Sequence, residues 1–417
     1  MVNTDSREKQ KKLQVEYRHA LHQAWKDRRL VLFLGAGVSQ PYYVPTWNGL
    51  VLDLLLQNFR EFKIFWPHYR RALASWLTEN FSFSPTTLAR VIKKRLDDDA
   101  RYIRSIHNSL YRVYDESLRS GGLVKPIPEK TTLTAVADLI VASAAAGNPL
   151  PAVLTTNFDN LLELRLKQLN GRLSAKRQVR FRPVYDASRT SPAELPIIHV
   201  HGYIPYEPRL LRSSVPPSEK SQLIFSEDEY HSVAQTGFYW SLVDIASYLR
   251  GYTVLFVGLS MTDPNLRRLL DATYVKGEKP AHFLLYKDHQ LPDKPEEREA
   301  IRVEIERRAR IEAKDLNRTE EKKSPQQLYE AVEFVINEAR DYNWQLFKGM
   351  GVGVVWFKDY PDIPGILQGI AAHSPDGCPH CPAARPRATG PRAGRATKAA
   401  KKRARKSPGK RLGRGRF

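Results

Sequence analysis

Short apolar runs recur along the chain, and several of them break directly into glycine or polar residues. Residues 31–34 and 252–257 are apolar, aromatic or β-branched throughout, and a glycine follows each run. Continuous runs of this length are typical of parallel strands that are buried on both faces. We therefore predict strands there and at 151–155, 195–200 and 281–286, the last strand of the main sheet, with a short edge strand at 351–356.

The segments around these strands have the spacing of amphipathic helices. Residues 6–29 place Leu13, Tyr17, Leu21 and Trp25 four apart, which predicts a helix that packs on the first strand. Between the first two strands lie many more residues than the dozen or so that a parallel crossover needs. The excess predicts a helical insertion at about 59–148. Its helices are predicted at 73–78, 87–96, 102–118 and 132–145.

This order of elements predicts an α/β fold, with a Rossmann-like parallel sheet and an inserted helical subdomain. We divide the chain into an N-terminal helix (1–29), the sheet domain (30–290), C-terminal helices (291–350), and a linker with a basic tail (351–417).

The formal charge of +21 is concentrated at the C-terminus. Fourteen of the Lys and Arg residues lie in 385–417, where there is no acid, so the rest of the chain carries only +7 of the total. A segment of this composition cannot bury a core, and we predict that it is disordered and attracts phosphates non-specifically. This tail supports an alternative function, a nucleic-acid-binding protein whose nucleotide fold senses a ligand. A solubilising tail without a target is equally compatible with the composition.

Cysteine content and hydropathy favour a soluble, cytoplasmic protein. Cys378 and Cys381 are the only cysteines, which excludes a disulfide scaffold. They form one Cys-x-x-Cys pair beside the tail, a weak signal for zinc, and we expect no metal. Residues 1–12 are polar, so no signal peptide is expected, and no apolar run is long enough to span a membrane.

Candidate ligand-binding residues follow the first predicted strand. Gly35, Ala36, Gly37 and Ser39 form a turn in which glycine would let backbone N–H groups approach a phosphate at a helix N-terminus. The third glycine of the dinucleotide fingerprint is missing, because Gln40 stands in its place. An ordinary tight turn is the alternative interpretation.

Polar residues follow three further strands in the same way. Thr156, Asn157 and Asp159 come after the second strand, where the alternative is capping of the next helix. His201 ends the strand at 195–200, whereas His199 is assigned to strand packing. The strand at 252–257 leads into a second turn that contains Gly258, Ser260 and Asn265. Since ligands bind at the carboxyl ends of parallel strands, these residues are candidates for one site.

Six segments occur in the order found in the sirtuin-like domain, and the chain resembles its bacterial branch of NAD-cleaving anti-phage defence proteins. They are 35–39, 45–47, 156–159, 201–202, 223–230 and 256–266.

The resemblance implies NAD as substrate, with the first turn at the pyrophosphate and Asp159 at the nicotinamide carboxamide. It implies that Asn157 and His201 act at the nicotinamide ribose, and that Gly258 and Ser260 meet the adenosine side. We add Thr156 and Asn265 as binding residues.

Two departures from protein-deacylating sirtuins matter. The four zinc cysteines of those enzymes are absent, since no cysteine precedes Cys378, and Val44-Pro45-Thr46-Trp47 replaces their Ile-Pro-Asp-Phe-Arg type of segment. Both make NAD-dependent deacylation the less favoured activity. The resemblance then implies an NAD⁺ glycohydrolase of anti-phage defence, which acts as a homo-oligomer or with a partner such as a helicase-like ATPase.

Overall fold

Seven parallel strands form the sheet on which the described part of the chain is built. The computed structural model describes residues 4–58, 69, 72–76, 84–120, 129–187, 191, 193–208, 222–236, 238–277, 279–315 and 324–372. The strand order is β3-β4-β2-β1-β5-β6-β7, and every neighbouring pair is parallel. The strands are β1 (Leu30–Leu34), β2 (Val153–Thr155), β3 (Phe181–Val184), β4 (Leu195–His199), β5 (Thr253–Val257), β6 (His282–Lys287) and β7 (Val352–Phe357).

Helices cover both faces of this sheet. They are α1 (Thr4–Lys26), α2 (Trp47–Asn58), α3 (Pro85–Leu96), α4 (Asp99–Arg119), α5 (Thr132–Ala145), α6 (Leu161–Asn170), α7 (Glu227–Gln235), α8 (Trp240–Gly251), α9 (Pro264–Thr273), α10 (Pro295–Asp315), α11 (Pro325–Gly349) and α12 (Asp362–Ala372). Among the described residues, none of the helices is both long enough and apolar enough to cross a membrane.

Side chains of β1 alternate between two apolar cores, because successive residues of a strand point to opposite faces. Leu32 and Leu34 lie in the core formed with α1 to α6 and α12. Val31 and Phe33 lie in the second core, with α8, α9 and α11. The continuous apolar run of β1 is therefore explained by burial on both sides.

The strand order reverses at β1. The first three strands after β1 in the chain lie on one side of it, in the spatial order β2, β4, β3, and the last three (β5, β6 and β7) lie on the other. In open parallel sheets such a reversal creates a crevice at the carboxyl ends of the strands, where ligands bind. In this protein the crevice lies between the ends of β2, β1 and β5.

The predicted α/β parallel sheet is confirmed, and so are the insertion helices that become α3, α4 and α5. Of the helix predicted at 73–78, residues 72–76 are helical and 77–78 lie outside the described residues. The sequence does not predict β3, because Arg182 and Pro183 interrupt its apolar pattern. Such residues are typical of a strand at the edge of a sheet.

The prediction of a linker from residue 351 is wrong for the part that the structure describes. The predicted edge strand is confirmed as β7, so β6 is not the last strand of the sheet, and α12 follows. The outer edge of β7 is closed by α1: Gln14 Nε2 donates to the Val354 carbonyl (2.8 Å), and the Trp356 N–H donates to Gln14 Oε1 (2.9 Å). Residues 373–417, with Cys378, Cys381 and the basic tail, lie outside the described residues.

Candidate functional site

Four strand ends meet at the carboxyl edge of the sheet. Leu34 of β1 pairs with Thr155 of β2 and with Val257 of β5, and Thr155 pairs with His199 of β4. Because these pairs are parallel and in register, the chain leaves all four strands at the same level. The turns that follow the four strands therefore surround the switch point, which is the crevice at β1 where the strand order reverses.

Two glycine turns pack directly against each other at this edge. The Gly35 N–H donates to the Val257 carbonyl (2.9 Å), and the Gly37 N–H donates to the Gly258 carbonyl (3.0 Å). A Cβ on Gly35 would lie 2.6 Å from the Gly258 oxygen, and Gly258 itself has a φ of +70°, which favours glycine. The close approach of the two turns thus requires glycine. The pyrophosphate role of the first turn stays a prediction.

Gly35→Ala is expected to destabilise the fold by about 1–3 kcal/mol, because the added methyl group overlaps the backbone of the second turn. Gly365→Ala in α12 is the matched control, since a Cβ there would meet nothing within 4 Å. This control is expected to be neutral or slightly stabilising. Urea unfolding measures both variants, and equal midpoints would contradict the prediction.

A chain of hydrogen bonds links four of the predicted site residues. Asn157 Nδ2 donates to the Gly35 carbonyl (3.2 Å) and to Ser39 Oγ (3.1 Å), and the Ser39 hydroxyl donates to Asp159 Oδ1 (3.0 Å). The Leu161 N–H at the start of α6 donates to the same carboxylate oxygen (3.2 Å). Asp159 therefore caps the start of α6 and also accepts a hydrogen bond from Ser39 in the predicted site.

Burial raises the pKa of Asp159 to about 6, and the hydrogen bonds from Leu161 and Ser39 lower it by a smaller amount. The carboxyl consequently takes up a proton under mildly acidic conditions. Perturbed pKa values of this kind occur at functional sites, and also in structural networks.

His199 is buried in β4, in agreement with its assignment to strand packing, and its ring also contacts Asn157 and Glu163 beside the site. Its Nδ1 lies 2.9 Å from the Asn157 carbonyl, and its Nε2 lies 2.7 Å from Glu163 Oε1. Burial lowers the pKa of His199, but Glu163 and the Asn157 carbonyl raise it by more, and the net direction is upward. Since both ring nitrogens face acceptors, the imidazolium form holds the Asn157 backbone in place.

His201 is almost fully buried, beside the carboxylate of Asp263. Its Nε2 lies 3.1 Å from Asp263 Oδ2, which also accepts a hydrogen bond from the Tyr230 hydroxyl (3.1 Å). The rings of Trp47 and Tyr230 stand edge-on to the imidazole, with centroids at 6.0 and 5.7 Å. In the described part of the chain, His201 Nδ1 has no hydrogen-bond partner. An imidazole in this arrangement is equipped to accept a proton.

A small pocket opens beside His201 at the switch point. Its polar lining comes from Thr156, His201, Ser241, Asp263 and Asn265. Apolar side chains complete the wall: Phe33, Val200, Ile224, Val233, Leu242, Ile245 and Leu266. The cavity has room for about one water molecule, beside a few polar groups in an apolar enclosure.

The helical insertion contacts the site through α7, the helix that carries Tyr230. Arg90 of α3 pairs with Glu227 (3.0 Å), and Lys93 pairs with Glu229 (2.7 Å). The Glu229 side chain also accepts the Phe225 and Ser226 N–H groups in a capping box. Two ion pairs therefore join the insertion to the first turn of α7.

The structure does not bring every predicted residue into this arrangement. Ser260 is exposed, and its hydroxyl lies 2.7 Å from the Thr262 hydroxyl. Its role at the adenosine side stays a prediction. Conversely, the sequence does not assign Asp263 and Glu163 to the site. Asp263 precedes a proline at the start of α9, which is the pattern of an ordinary helix cap.

Within the described ranges, no three His, Cys, Asp or Glu side chains are grouped so that they could hold a metal ion. Cys378, Cys381 and the histidines near them lie outside those ranges.

A family model, the SIR2-like domain, matches residues 151–311. This range contains Asn157, Asp159, His201 and Asp263, and it ends before β7. The match supports a sirtuin-like domain and an NAD-related function, because SIR2-like domains bind NAD and are often NAD-utilising enzymes. Among curated proteins, none matches the chain.

Proposed function

We propose that this protein is an NAD⁺ hydrolase that breaks the bond between nicotinamide and ribose, with water as the acceptor. The observation that carries the proposal is His201, buried at a strand end with Nε2 on the Asp263 carboxylate and Nδ1 unpartnered in the described chain. It lies in the range that matches the SIR2-like domain.

In the proposed reaction, the oxygen of a water molecule attacks the anomeric carbon of the nicotinamide ribose. The carbon–nitrogen bond breaks, and its electron pair goes to the ring nitrogen of nicotinamide. The proton of the attacking water goes to His201, and the products are nicotinamide and ADP-ribose. Because the transition state resembles an oxocarbenium ion, orientation of water and ribose supplies much of the rate gain.

Asn157 supports this reaction as an acceptor. Both N–H groups of its side-chain amide are used, one on the Gly35 carbonyl and one on Ser39 Oγ. Only Oδ1 is left to meet substrate, and a carbonyl oxygen accepts from a ribose hydroxyl or from water. Asn157 would therefore orient a hydroxyl group or the attacking water.

The biological role follows from the resemblance to NAD-cleaving defence proteins. We propose that activation, by self-association or by a partner such as a helicase-like ATPase, depletes NAD⁺ during infection. The residues assigned to the pyrophosphate (Gly35, Ala36, Gly37 and Ser39) and to the adenosine (Gly258 and Ser260) belong to the same proposal, and so do the added binding residues Thr156 and Asn265.

The experiment that tests the proposed activity follows NAD⁺ with and without an acetyl-lysine peptide. Nicotinamide is expected to form at the same rate in both reactions, because the zinc cysteines of the deacylating sirtuins are absent. Stoichiometric acetyl-ADP-ribose, measured by mass spectrometry, would instead establish a deacylase.

A further inference from the structure

Asp263 uses its two carboxylate oxygens for different purposes. Oδ1 accepts the N–H groups of Asn265 (2.8 Å) and Leu266 (3.0 Å) at the start of α9. Oδ2 faces His201 Nε2 (3.1 Å) and accepts from the Tyr230 hydroxyl (3.1 Å). The helix terminus therefore holds the carboxylate in a fixed position against the imidazole.

The protonation states of this cluster follow from its surroundings. Burial raises the pKa of Asp263, but His201, the Leu266 N–H and Tyr230 lower it by more, and the result is about 2. Burial and the nearby carboxylate raise the pKa of Tyr230. At neutral pH Asp263 is therefore ionised and can only accept, while Tyr230 keeps its proton and donates.

An ionised carboxylate beside Nε2 requires a hydrogen on that nitrogen. In the neutral imidazole the lone pair then lies on Nδ1, the buried nitrogen that has no partner among the described residues. We infer that Asp263 is a positioning residue, which fixes His201 as the Nε2–H tautomer and makes Nδ1 the atom that accepts the proton. The role of Nδ1 as proton acceptor rests on the proposed hydrolase function, whereas the assignment of the Nε2–H tautomer does not.

Helix capping alone does not require a carboxylate at this position. Asparagine caps a helix about as well as aspartate. Its amide, however, would present an N–H donor to Nε2 and favour a lone pair there, with the hydrogen moved to Nδ1. Asp263→Asn thus keeps the cap of α9 and removes the carboxylate that faces His201 Nε2.

The test uses the full chain with isotope-labelled histidine and reads the protonated ring nitrogen of His201 by NMR. In the wild type we expect Nε2–H, and in Asp263→Asn we expect Nδ1–H. Turnover of NAD⁺ is expected to fall by about 10⁴-fold in this variant, the effect of replacing the carboxylate that orients a catalytic histidine by an amide.

Two variants serve as controls. Asp271→Asn, on the exposed side of α9, should change neither the tautomer nor turnover. Tyr230→Phe removes one donor to Oδ2 but keeps the carboxylate, and should keep the Nε2–H tautomer.

Nδ1–H in the wild-type protein would overturn the inference without any variant. So would an unchanged tautomer in folded Asp263→Asn. If the tautomers behave as expected but the wild type leaves NAD⁺ intact, the positioning role of Asp263 stands and the proposed hydrolase function fails.

Discussion

Replacement of His201 by alanine is expected to lower the turnover of NAD⁺ by about 10²- to 10⁴-fold, the usual contribution of a general base. The variant removes the imidazole that, among the described residues, lines the pocket at the switch point with Thr156 and Asn265. The affinity for NAD⁺ should change much less, because the turns at Gly35 and Gly258 do not depend on this side chain. Steady-state kinetics and calorimetry separate the two effects.

His231→Ala is the matched control for this experiment. His231 is an exposed histidine on α7, next to Tyr230, and it should be dispensable. His199→Ala is unsuitable as a control, because the ring of His199 holds the Asn157 carbonyl. Wild-type turnover in folded His201→Ala would mean that another group accepts the proton.

Glu163→Gln is expected to destabilise the fold by about 3–5 kcal/mol, the range for removing one member of a buried ion pair. Glu163 and His199 are both almost fully buried, and the oxygen–nitrogen distance between them is 2.7 Å. Without the carboxylate, the buried imidazole must either stay charged without a counterion in a region of low dielectric constant or give up its proton. Denaturant unfolding measures the loss.

The pH dependence of the free energy of unfolding tests the same Glu163–His199 pair. The pKa of His199 is higher in the folded protein than its ordinary value of 6.5, so the folded state binds this proton more tightly. The stabilisation is therefore complete below about pH 6.5 and is lost as the pH rises through the folded-state pKa. Glu163→Gln should remove most of this dependence.

An exposed pair provides the control. Lys294 and Glu297 lie 3.0 Å apart on the surface, and Glu297→Gln should shift stability by no more than about 0.5 kcal/mol. If Glu163→Gln is as mild as Glu297→Gln, the buried pair does not stabilise the fold. Recovery in the Glu163→Gln/His199→Gln double variant would show that the penalty comes from the unpaired charge.

The central strands could be predicted from the sequence because a strand buried on both faces has apolar residues at successive positions. β1 and β5 are continuous apolar runs for this reason. β3 has no continuous apolar run, since an edge strand tolerates Arg182 and Pro183. The apolar run of β7 also predicts a strand, but the contact with Gln14 that closes its outer edge joins residues 340 positions apart, which local patterns do not contain.

The candidate site divides in the same way. The placement of Gly35, Asn157 and His201 at one edge of the sheet was predictable, because a parallel sheet brings the ends of its strands together there. The acidic partners that determine the chemistry of the histidines could not be predicted from the sequence. Glu163 lies 36 residues from His199, and Asp263 has the local pattern of a helix cap. Only tertiary contacts bring these carboxylates to the two histidines, Glu163 to His199 and Asp263 to His201.

The reaction of wild-type protein with NAD⁺ in isotopically labelled water tests the proposed hydrolysis most directly. The proposal predicts nicotinamide equal in amount to the NAD⁺ lost, together with ADP-ribose that carries the labelled oxygen at its anomeric carbon. NAD⁺ that stays intact, whether it binds in calorimetry or not, would contradict a hydrolase; binding without turnover would indicate a sensor in its place. Nicotinamide without labelled ADP-ribose would show that the ribosyl group goes to an acceptor other than water.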